Sequence, residues 1–318
     1  MYTVGFIGLG NMGSGMAGNI QKATYPLVVN DVREEATAPF AARGAHVATS
    51  PAELASGSDV IFTSLPGPRE VEHIALGPRG IVEGIRPGAV YIDVSTSRPS
   101  LIRHIADEFR QKRAHVFDAP VSGGRAHAAA GTLTLMVGGP AVEYDRVKPL
   151  LSAIGQKVFY AGDVGAGSVC KLVHNMIGQV ITRGIAEGLM LGVKAGVEPR
   201  VLWECLRRSA IGRMGTLHEH IPAKYFPGNF ELPGFSLALA AKDVALATEL
   251  GREFNVPLPF ATLAEQVLIQ GLNRGWGNKD SMISIVLQEE MAGVQARAQG
   301  VDAAKAATFV TVRSDAEQ

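Results

Sequence analysis

Lys171 and Asn175 stand four residues apart in a proline-free stretch, so on a helix they share one face. An amine and an amide so placed can hold a hydroxyl between them, and the amine can take or return its proton. Ser122-Gly123-Gly124 offers a hydroxyl and consecutive backbone amides that no side chain obstructs, which suits a carboxylate. Gly8-Leu9-Gly10-Asn11-Met12-Gly13 has the spacing of a turn that holds a dinucleotide pyrophosphate against a helix N-terminus. Proton carrier, anion cradle and dinucleotide turn together point to hydride transfer between a small hydroxy acid and a nicotinamide.

Each of these groups needs an element to hold it. The apolar strand Val4–Ile7 precedes the glycine turn, and a helix-compatible stretch from Asn11 to Lys22 follows it. Gly8 permits the tight turn, Gly10 lets the backbone approach the phosphates, and Gly13 lets the helix pack close to the sheet. With 37 glycines in the chain the spacing alone could be a turn with no ligand. The next strand, Leu27–Asn30, ends at Asp31, where a dinucleotide site needs its acidic residue. Asn30 and Asp31 therefore join the cofactor-binding candidates. A carboxylate at Asp31 would accept hydrogen bonds from the adenosine ribose and repel a 2′-phosphate, favouring NAD, whereas Arg33 keeps NADP open.

Through the first half, apolar strands alternate with amphipathic helices. The strands are Val4–Ile7, Leu27–Asn30, Val60–Leu65, Val90–Val94 and His115–Ala119. The helices are Asn11–Lys22, Glu34–Arg43, Arg69–Ala75 and Pro99–Lys112. This order predicts an α/β fold: a doubly wound, mostly parallel Rossmann-type sheet, extended by strands Thr132–Val137 and Val158–Tyr160 around a helix Ala141–Ala153. Ligands of such sheets lie at the C-terminal strand ends. Besides the glycine turn, Ser64–Gly67, Asp93–Ser97 and Asp118–Gly124 stand there, and three such turns beside one dinucleotide turn favour a shared cleft.

The pattern changes at Gly165-Ala166-Gly167. A long helix is expected over Ser168–Ala195 with Ser168 as its N-cap. Helical patterns then dominate at Pro199–Ser209, Leu237–Phe254, Phe260–Arg274 and Lys279–Gln299. The expected division is a dinucleotide-binding domain over 1–165 and an all-α substrate and oligomerisation domain over 166–318, connected by the 168–195 helix. Ala304–Gln318 has weak periodicity and reads as a loosely held tail.

Composition narrows the function classes. The 318 residues suffice for two domains, with 47% hydrophobic residues for a core. Lys plus Arg equals Asp plus Glu at 30 each, so no nucleic-acid or membrane-surface footprint is expected. No run of 18 apolar residues suggests a membrane span. Cys170 and Cys205 are too few for a disulfide framework, lack metal spacing and are expected as buried, reduced thiols. With no leader pattern at the start, a cytoplasmic enzyme is expected.

Val169, Cys170, Leu172, Val173, Met176 and Ile177 make the surroundings of Lys171 apolar almost all round, which predicts burial on all sides. Desolvation there would lower the amine pKa, and a nearby oxidised nicotinamide would act in the same direction. The alternative is a solvated surface lysine. His174 either borders the cleft or is a satisfied core residue. Arg125 and His127 either add charge to the pocket or face solvent.

These residues resemble the β-hydroxyacid dehydrogenases, the group of 3-hydroxyisobutyrate dehydrogenase and tartronate semialdehyde reductase. Phe6-Ile7-Gly8-Leu9-Gly10-Asn11-Met12-Gly13, with Met16, Ala17 and Asn19, fits the opening signature. Asp93-Val94-Ser95-Thr96, Asp118 to Gly124, Gly131-Thr132-Leu133, Gly165-x-Gly167-x-x-x-Lys171-x-x-x-Asn175 and Lys242-Asp243 follow in order. The resemblance implies that Lys171 is the catalytic acid/base and that Ser122, Gly123, Gly124 and Asn175 hold substrate. It places Gly8 to Gly13 on the pyrophosphate, and Leu65, Pro66, Thr96 and Lys242 on the cofactor. With Lys242 in the α half, it implies a cleft closing between domains. It further implies a homodimer or homotetramer and a small carboxylate-bearing hydroxyacid or semialdehyde as substrate, with no metal.

Two departures qualify this. His127 stands where the family often has glycine, so it adds bulk or charge near the substrate loop. His174-Asn175 is similar to the His-Asn pair of 6-phosphogluconate dehydrogenase. That enzyme also needs a glutamate seven residues after its lysine, where this chain has Gly178, so oxidative decarboxylation of a sugar phosphate is disfavoured. Imine reduction is disfavoured by the presence of Lys171. The expected function is thus NAD(P)-dependent interconversion of a small 3-hydroxy acid and its semialdehyde or 3-oxo acid. A tartronate semialdehyde or other aldehyde-acid reductase is the alternative within the family. A non-catalytic dinucleotide-binding sensor is the alternative outside it. Trp203, Phe230, Phe235 and Trp276 are either pocket wall or ordinary core aromatics.

Overall fold

Successive side chains of a strand point to opposite faces, and here both faces are covered, which is why the strands read as continuous apolar runs. In the computed structural model, which describes residues 2–298, nine strands form one sheet. They are β1 (Val4–Ile7), β2 (Leu27–Asn30), β3 (His46–Val47), β4 (Val60–Thr63), β5 (Val90–Asp93), β6 (His115–Asp118), β7 (Val121–Ser122), β8 (Leu133–Gly138) and β9 (Gly155–Gly162). Their order is β3-β2-β1-β4-β5-β6-β8-β7, with β9 also paired to β8. The pairs from β3 through β6 are parallel; β8 runs antiparallel to β6 and β7 and parallel to β9.

Helices α1 (Gly13–Lys22), α2 (Glu34–Ala41), α3 (Pro51–Ser56), α4 (Pro68–Leu76), α5 (Ile81–Gly84), α6 (Pro99–Gln111), α7 (Gly124–Ala130) and α8 (Ala141–Ile154) connect the strands. On one face, Val4, Phe6, Val29, Phe62 and Ile92 pack with Met16 and Ile20 of α1 and Leu150 and Leu151 of α8. On the other, Ile7, Val28, Ile61, Tyr91 and Val116 pack with Leu54, Val71, Ile102, Ile105 and Phe109 from α3, α4 and α6.

Helix α9 (Ala166–Lys194) follows, then α10 (Pro199–Arg208), a π-helical segment (Thr216–Tyr225), α11 (Leu237–Glu253), α12 (Pro259–Asn273), a 3₁₀ turn (Ser281–Ser284) and α13 (Ile285–Ala292). The boundary between the two compact units falls between Ile177 and Gly178, inside α9. In the second unit a smaller core joins Tyr225, Phe230, Leu237, Met282 and Ile283, with Trp276 packed against it. The Glu187 carboxylate of α9 accepts from the Phe260 and Ala261 amides (2.8 and 3.0 Å), so an acidic side chain caps the dipole at the start of α12.

Several expectations change. Helix α1 begins at Gly13 rather than Asn11, because Met12 still belongs to the turn. The expected helix over 279–299 becomes a 3₁₀ turn and the short α13, which ends where Gly293 adopts left-handed geometry. Strands β3 and β7 and the π-helical segment lack the length or period to announce themselves. Cys170 and Cys205 are exposed rather than buried, since both sit on helix faces that the chain leaves uncovered. The apolar side chains of α9 are likewise open: Leu172 is 42% and Met176 59% exposed. Apolar periodicity marks a surface that needs covering but not what covers it. The tail Ala304–Gln318 lies outside the described residues.

Candidate functional site

A cavity of about 750 Å³ opens at the C-terminal ends of β1, β2 and β4, where an open parallel sheet binds its ligands. Its lining brings together Gly8, Gly10, Asn11, Met12, Gly13, Asn30, Asp31, Leu65 and Pro66, nine of the expected cofactor contacts. The turn is built by close approach. A Cβ on Gly13 would lie 1.9 Å from the Gly8 carbonyl oxygen, so no other residue fits there. A Cβ on Gly10 would meet nothing within 4 Å, so that backbone faces open space. No side chain caps α1 and its first turn holds no acid, so although the Ser14 amide donates to the Gly10 carbonyl, the positive end of the helix carries no side-chain anion of its own. The cavity's size, uncapped helix start and terminal carboxylate fit a dinucleotide.

Leu9 does not line the cavity. Its side chain is buried in the core, and its amide donates to Asp31 Oδ2 at 2.7 Å. The Arg33 amide and guanidinium donate to Asp31 Oδ1 at 2.9 and 3.2 Å. Burial pushes the Asp31 pKa up, but the bonds from Arg33 and Leu9 outweigh it and hold the carboxyl below its usual range. Asp31 is thus an ionised acceptor locked to the glycine turn.

The neighbouring strand ends are tied by a buried polar chain. Thr63 Oγ1 donates to Asp93 Oδ1 and lies 2.8 Å from the Tyr91 hydroxyl. The Ser95 amide donates to the same Asp93 oxygen, and Ser95 Oγ accepts from the Leu65 amide at 2.9 Å. Asp93 Oδ2 has no hydrogen-bond partner among the described residues, and burial raises this carboxyl to about 6. Thr96 is exposed just past this chain, at the same strand edge.

The substrate candidates gather around the start of α9. Asp118, at the end of β6, accepts from the Gly165 amide at 2.7 Å and the Ser168 amide at 2.5 Å. The expected N-cap role of Ser168 is therefore corrected. The helix starts two residues earlier, Ser168 Oγ is buried with no hydrogen-bond partner among the described residues, and the carboxylate at the end of β6 does the capping. Gly167 allows this junction, since a Cβ there would lie 2.2 Å from the Met136 carbonyl oxygen. Lys171 follows within the first turns, half-buried, and desolvation lowers its pKa.

Ser122 Oγ lies 3.4 Å from His174 Nε2, and His174 Nδ1 lies 3.1 Å from Asn175 Oδ1. The Ser122–Gly124 loop and the α9 face thus meet. Gly123 and Gly124 both have positive φ, 138° and 77°, a path that other residues follow only under strain. His127 Nδ1 bonds Thr132 Oγ1 at 2.8 Å, which fastens α7 to the start of β8, and Arg125 is exposed. Lys242 lies on α11 in the second unit, its Nζ 2.6 Å from Asp243 Oδ1. Phe230 is buried in the smaller core, whereas Trp203 and Phe235 are exposed.

Two roles escaped the sequence. Arg69, Glu70 and His73 of α4 line the dinucleotide cavity; their place just after a C-terminal strand end was the available signal. Asn19 Nδ2 donates to the Ala128 carbonyl at 2.9 Å, tying the dinucleotide helix to the helix of the substrate loop. No local pattern marks that contact.

A family profile for the NAD binding domain of 6-phosphogluconate dehydrogenase matches residues 3–162. A second, for the NAD-binding domain of NADP-dependent 3-hydroxyisobutyrate dehydrogenase, matches residues 165–287. The chain is 38% identical to 2-(hydroxymethyl)glutarate dehydrogenase of Eubacterium barkeri over 291 residues, 92% of this chain and 96% of that protein. It is 38% identical to NAD-dependent L-serine dehydrogenase of Pseudomonas aeruginosa over 288 residues, 88% and 95% of the two chains. The structure of Mycobacterium tuberculosis 3-hydroxyisobutyrate dehydrogenase with L-serine superposes with a TM-score of 0.63 at 29% identity, covering 91% of this chain and 99% of that one. With the ordered motifs and the sheet topology, these matches establish that the chain belongs to the β-hydroxyacid dehydrogenase family.

Proposed function

We propose that the chain oxidises the primary alcohol of a small 2-substituted 3-hydroxypropanoate to the semialdehyde, reversibly, with Lys171 as general base and NAD as the preferred dinucleotide. The observation that carries this reading is Lys171 itself: half-buried, with its pKa lowered by desolvation, on the helix face that meets the Ser122 loop. The compounds named for the relatives, L-serine, 3-hydroxyisobutyrate and 2-(hydroxymethyl)glutarate, share the 3-hydroxy acid core and differ at C2.

In this mechanism the amides of Gly123 and Gly124 and the Ser122 hydroxyl receive the substrate carboxylate. Asn175 orients the hydroxyl, and neutral Lys171 Nζ takes its proton. A dinucleotide held by the Gly8–Gly13 turn and Asp31 would supply the hydride acceptor for the carbinol hydrogen. In the reverse direction protonated Lys171 returns the proton to the aldehyde oxygen. A lowered amine pKa raises the neutral fraction near neutral pH, and general acid–base catalysis typically contributes about 10²–10⁴-fold. Asp31 supports the preference for NAD, being an ionised acceptor at the cavity edge. The exposed apolar side chains of α9 support assembly as a homodimer or homotetramer. No helix among the described residues is long and apolar enough to cross a membrane, and we place the enzyme in the cytoplasm.

The test is Lys171→Ala, assayed with a panel of 3-hydroxy acids and semialdehydes and with NAD and NADP. The variant is expected to bind NAD normally and turn over at least about a hundredfold more slowly. Near-normal turnover would overturn the assignment. Hydroxyacid-dependent formation of NADH by the unaltered chain excludes a non-catalytic sensor, and the panel separates a tartronate semialdehyde reductase from the 2-substituted class.

A further inference from the structure

A second cavity, of about 690 Å³, lies in the first unit between α6, the start of β6 and the turns after β8 and β9, and shares no lining residue with the dinucleotide cavity. Its rim is basic. Arg103, Ala106 and Arg110 follow one face of α6 at helical spacing, and the small Ala106 leaves room between the two guanidinium arms. Arg113 completes the row. The Arg113 amide bonds the Arg110 carbonyl and the Ala114 amide bonds that of Phe109, so α6 closes in a left-handed turn with Arg113 at φ 57°. Thr24 and Asn255 end their helices in the same way, so the turn itself signals no ligand; its effect is to set Arg113 on the rim beside His115.

The charges are poorly balanced. Asp163 is the one acid in the lining. Arg110 is paired with Asp107 at 2.7 Å, but both side chains are largely exposed, so the pair holds the guanidinium weakly. Arg103 donates to the Val164 carbonyl at 3.3 Å, and among the described residues neither Arg103 nor Arg113 has a carboxylate partner. His115 lies 3.6 Å from Glu143, which also takes Arg146 at 3.2 Å. The floor of Ala106, Ala114, Val116 and Pro140 is apolar. Fork-shaped donors above an apolar floor suit planar or tetrahedral oxyanions, which guanidinium groups bind in pairs.

We infer that this groove is a second ligand site, separate from the catalytic one, for a small polyanion bearing two or more phosphate or carboxylate groups.

The probes are inorganic pyrophosphate and citrate, titrated calorimetrically at low salt into the full chain saturated with NAD, so that the glycine turn is not the site observed. Saturable binding is expected, with the tighter probe distinguishing a phosphate from a carboxylate ligand. The Arg103→Ala/Arg113→Ala double variant should weaken it at least tenfold while NAD affinity stays unchanged. Lys112→Ala removes a neighbouring exposed charge outside the lining and should leave binding within twofold. No saturable binding of either probe, undiminished binding in the double variant, or an equal loss in Lys112→Ala would each overturn the inference.

Discussion

The Asp118 carboxylate accepts the Ser168 amide at 2.5 Å, so the helix that carries Lys171 is capped by a residue fifty positions earlier in the chain. The second oxygen takes the Gly165 amide at 2.7 Å. The bond pair fixes where α9 leaves the sheet, one turn before Lys171. Burial raises the Asp118 pKa, the cost of placing an acid there, and the two backbone bonds offset part of it.

Asp118→Ala therefore strips two buried amides of their acceptor. Each such orphan costs about 1–3 kcal/mol, so a loss of roughly 2–6 kcal/mol is expected in urea unfolding, with a fall in kcat as Lys171 shifts. Asp118→Asn keeps one acceptor oxygen and should lose less on both measures. Stability of Asp118→Ala within about 0.5 kcal/mol of the unaltered chain would show that the cap is dispensable.

Asn19 offers a contact of the same kind between the two binding elements. Its side-chain amide donates to Ala128, in the helix that begins at Gly124. Asn19→Ala should cost about 1 kcal/mol and raise KM for both dinucleotide and hydroxy acid. Asn19→Asp sets an anionic acceptor against a carbonyl and should cost more. Equal effects of the two variants on thermal unfolding would argue against the hydrogen bond.

Asp31 and Arg33 should act in opposite directions on cofactor choice. Asp31→Ala would remove the proposed ribose acceptor and free Arg33, so the NADP/NAD ratio of kcat/KM should rise by at least about tenfold, or 1.4 kcal/mol. Arg33→Ala should lower the same ratio. A common direction for both variants would mean that the pair acts only through the shape of the turn.

The Asp93 carboxyl predicts a pH dependence of stability. Desolvation comes first among its causes and, with the nearby Asp118 charge, outweighs the bonds from Ser95 and Thr63, lifting the group from 3.8 to about 6. A group raised in the folded state favours folding where it is protonated, so its contribution is full below pH 3.8 and is lost as pH rises to about 6. The loss is on the order of 3 kcal/mol. Asp93→Asn should flatten that part of the stability profile between pH 4 and pH 7 in denaturant titrations. A profile as steep as that of the unaltered chain would assign the dependence to other groups.

Local pattern carried the first half of the fold far. Each of β1, β2, β4, β5 and β6 has an apolar centre buried from both faces, and Gly8 to Gly13 must be glycine-rich because Gly13 nearly touches the Gly8 carbonyl. Lys171 stood out because a cation in an apolar helical stretch is rare. The contacts that arrange these pieces leave no such trace. Asp118 reads as a strand end, Asn19 as a polar helix position and Ser168 as a natural cap, yet the first two hold the site together and the third is passed over.

From its own residues the chain determined the dinucleotide turn, the alternating α/β half and the candidate proton carrier, since each depends on spacing within a few positions. Only the folded chain decided that Asp118 caps α9, that Asp31 is locked to Leu9 and Arg33, and that Ser122 meets His174. Those choices depend on which distant groups burial leaves in want of a partner, and a buried polar group takes the nearest one that geometry supplies.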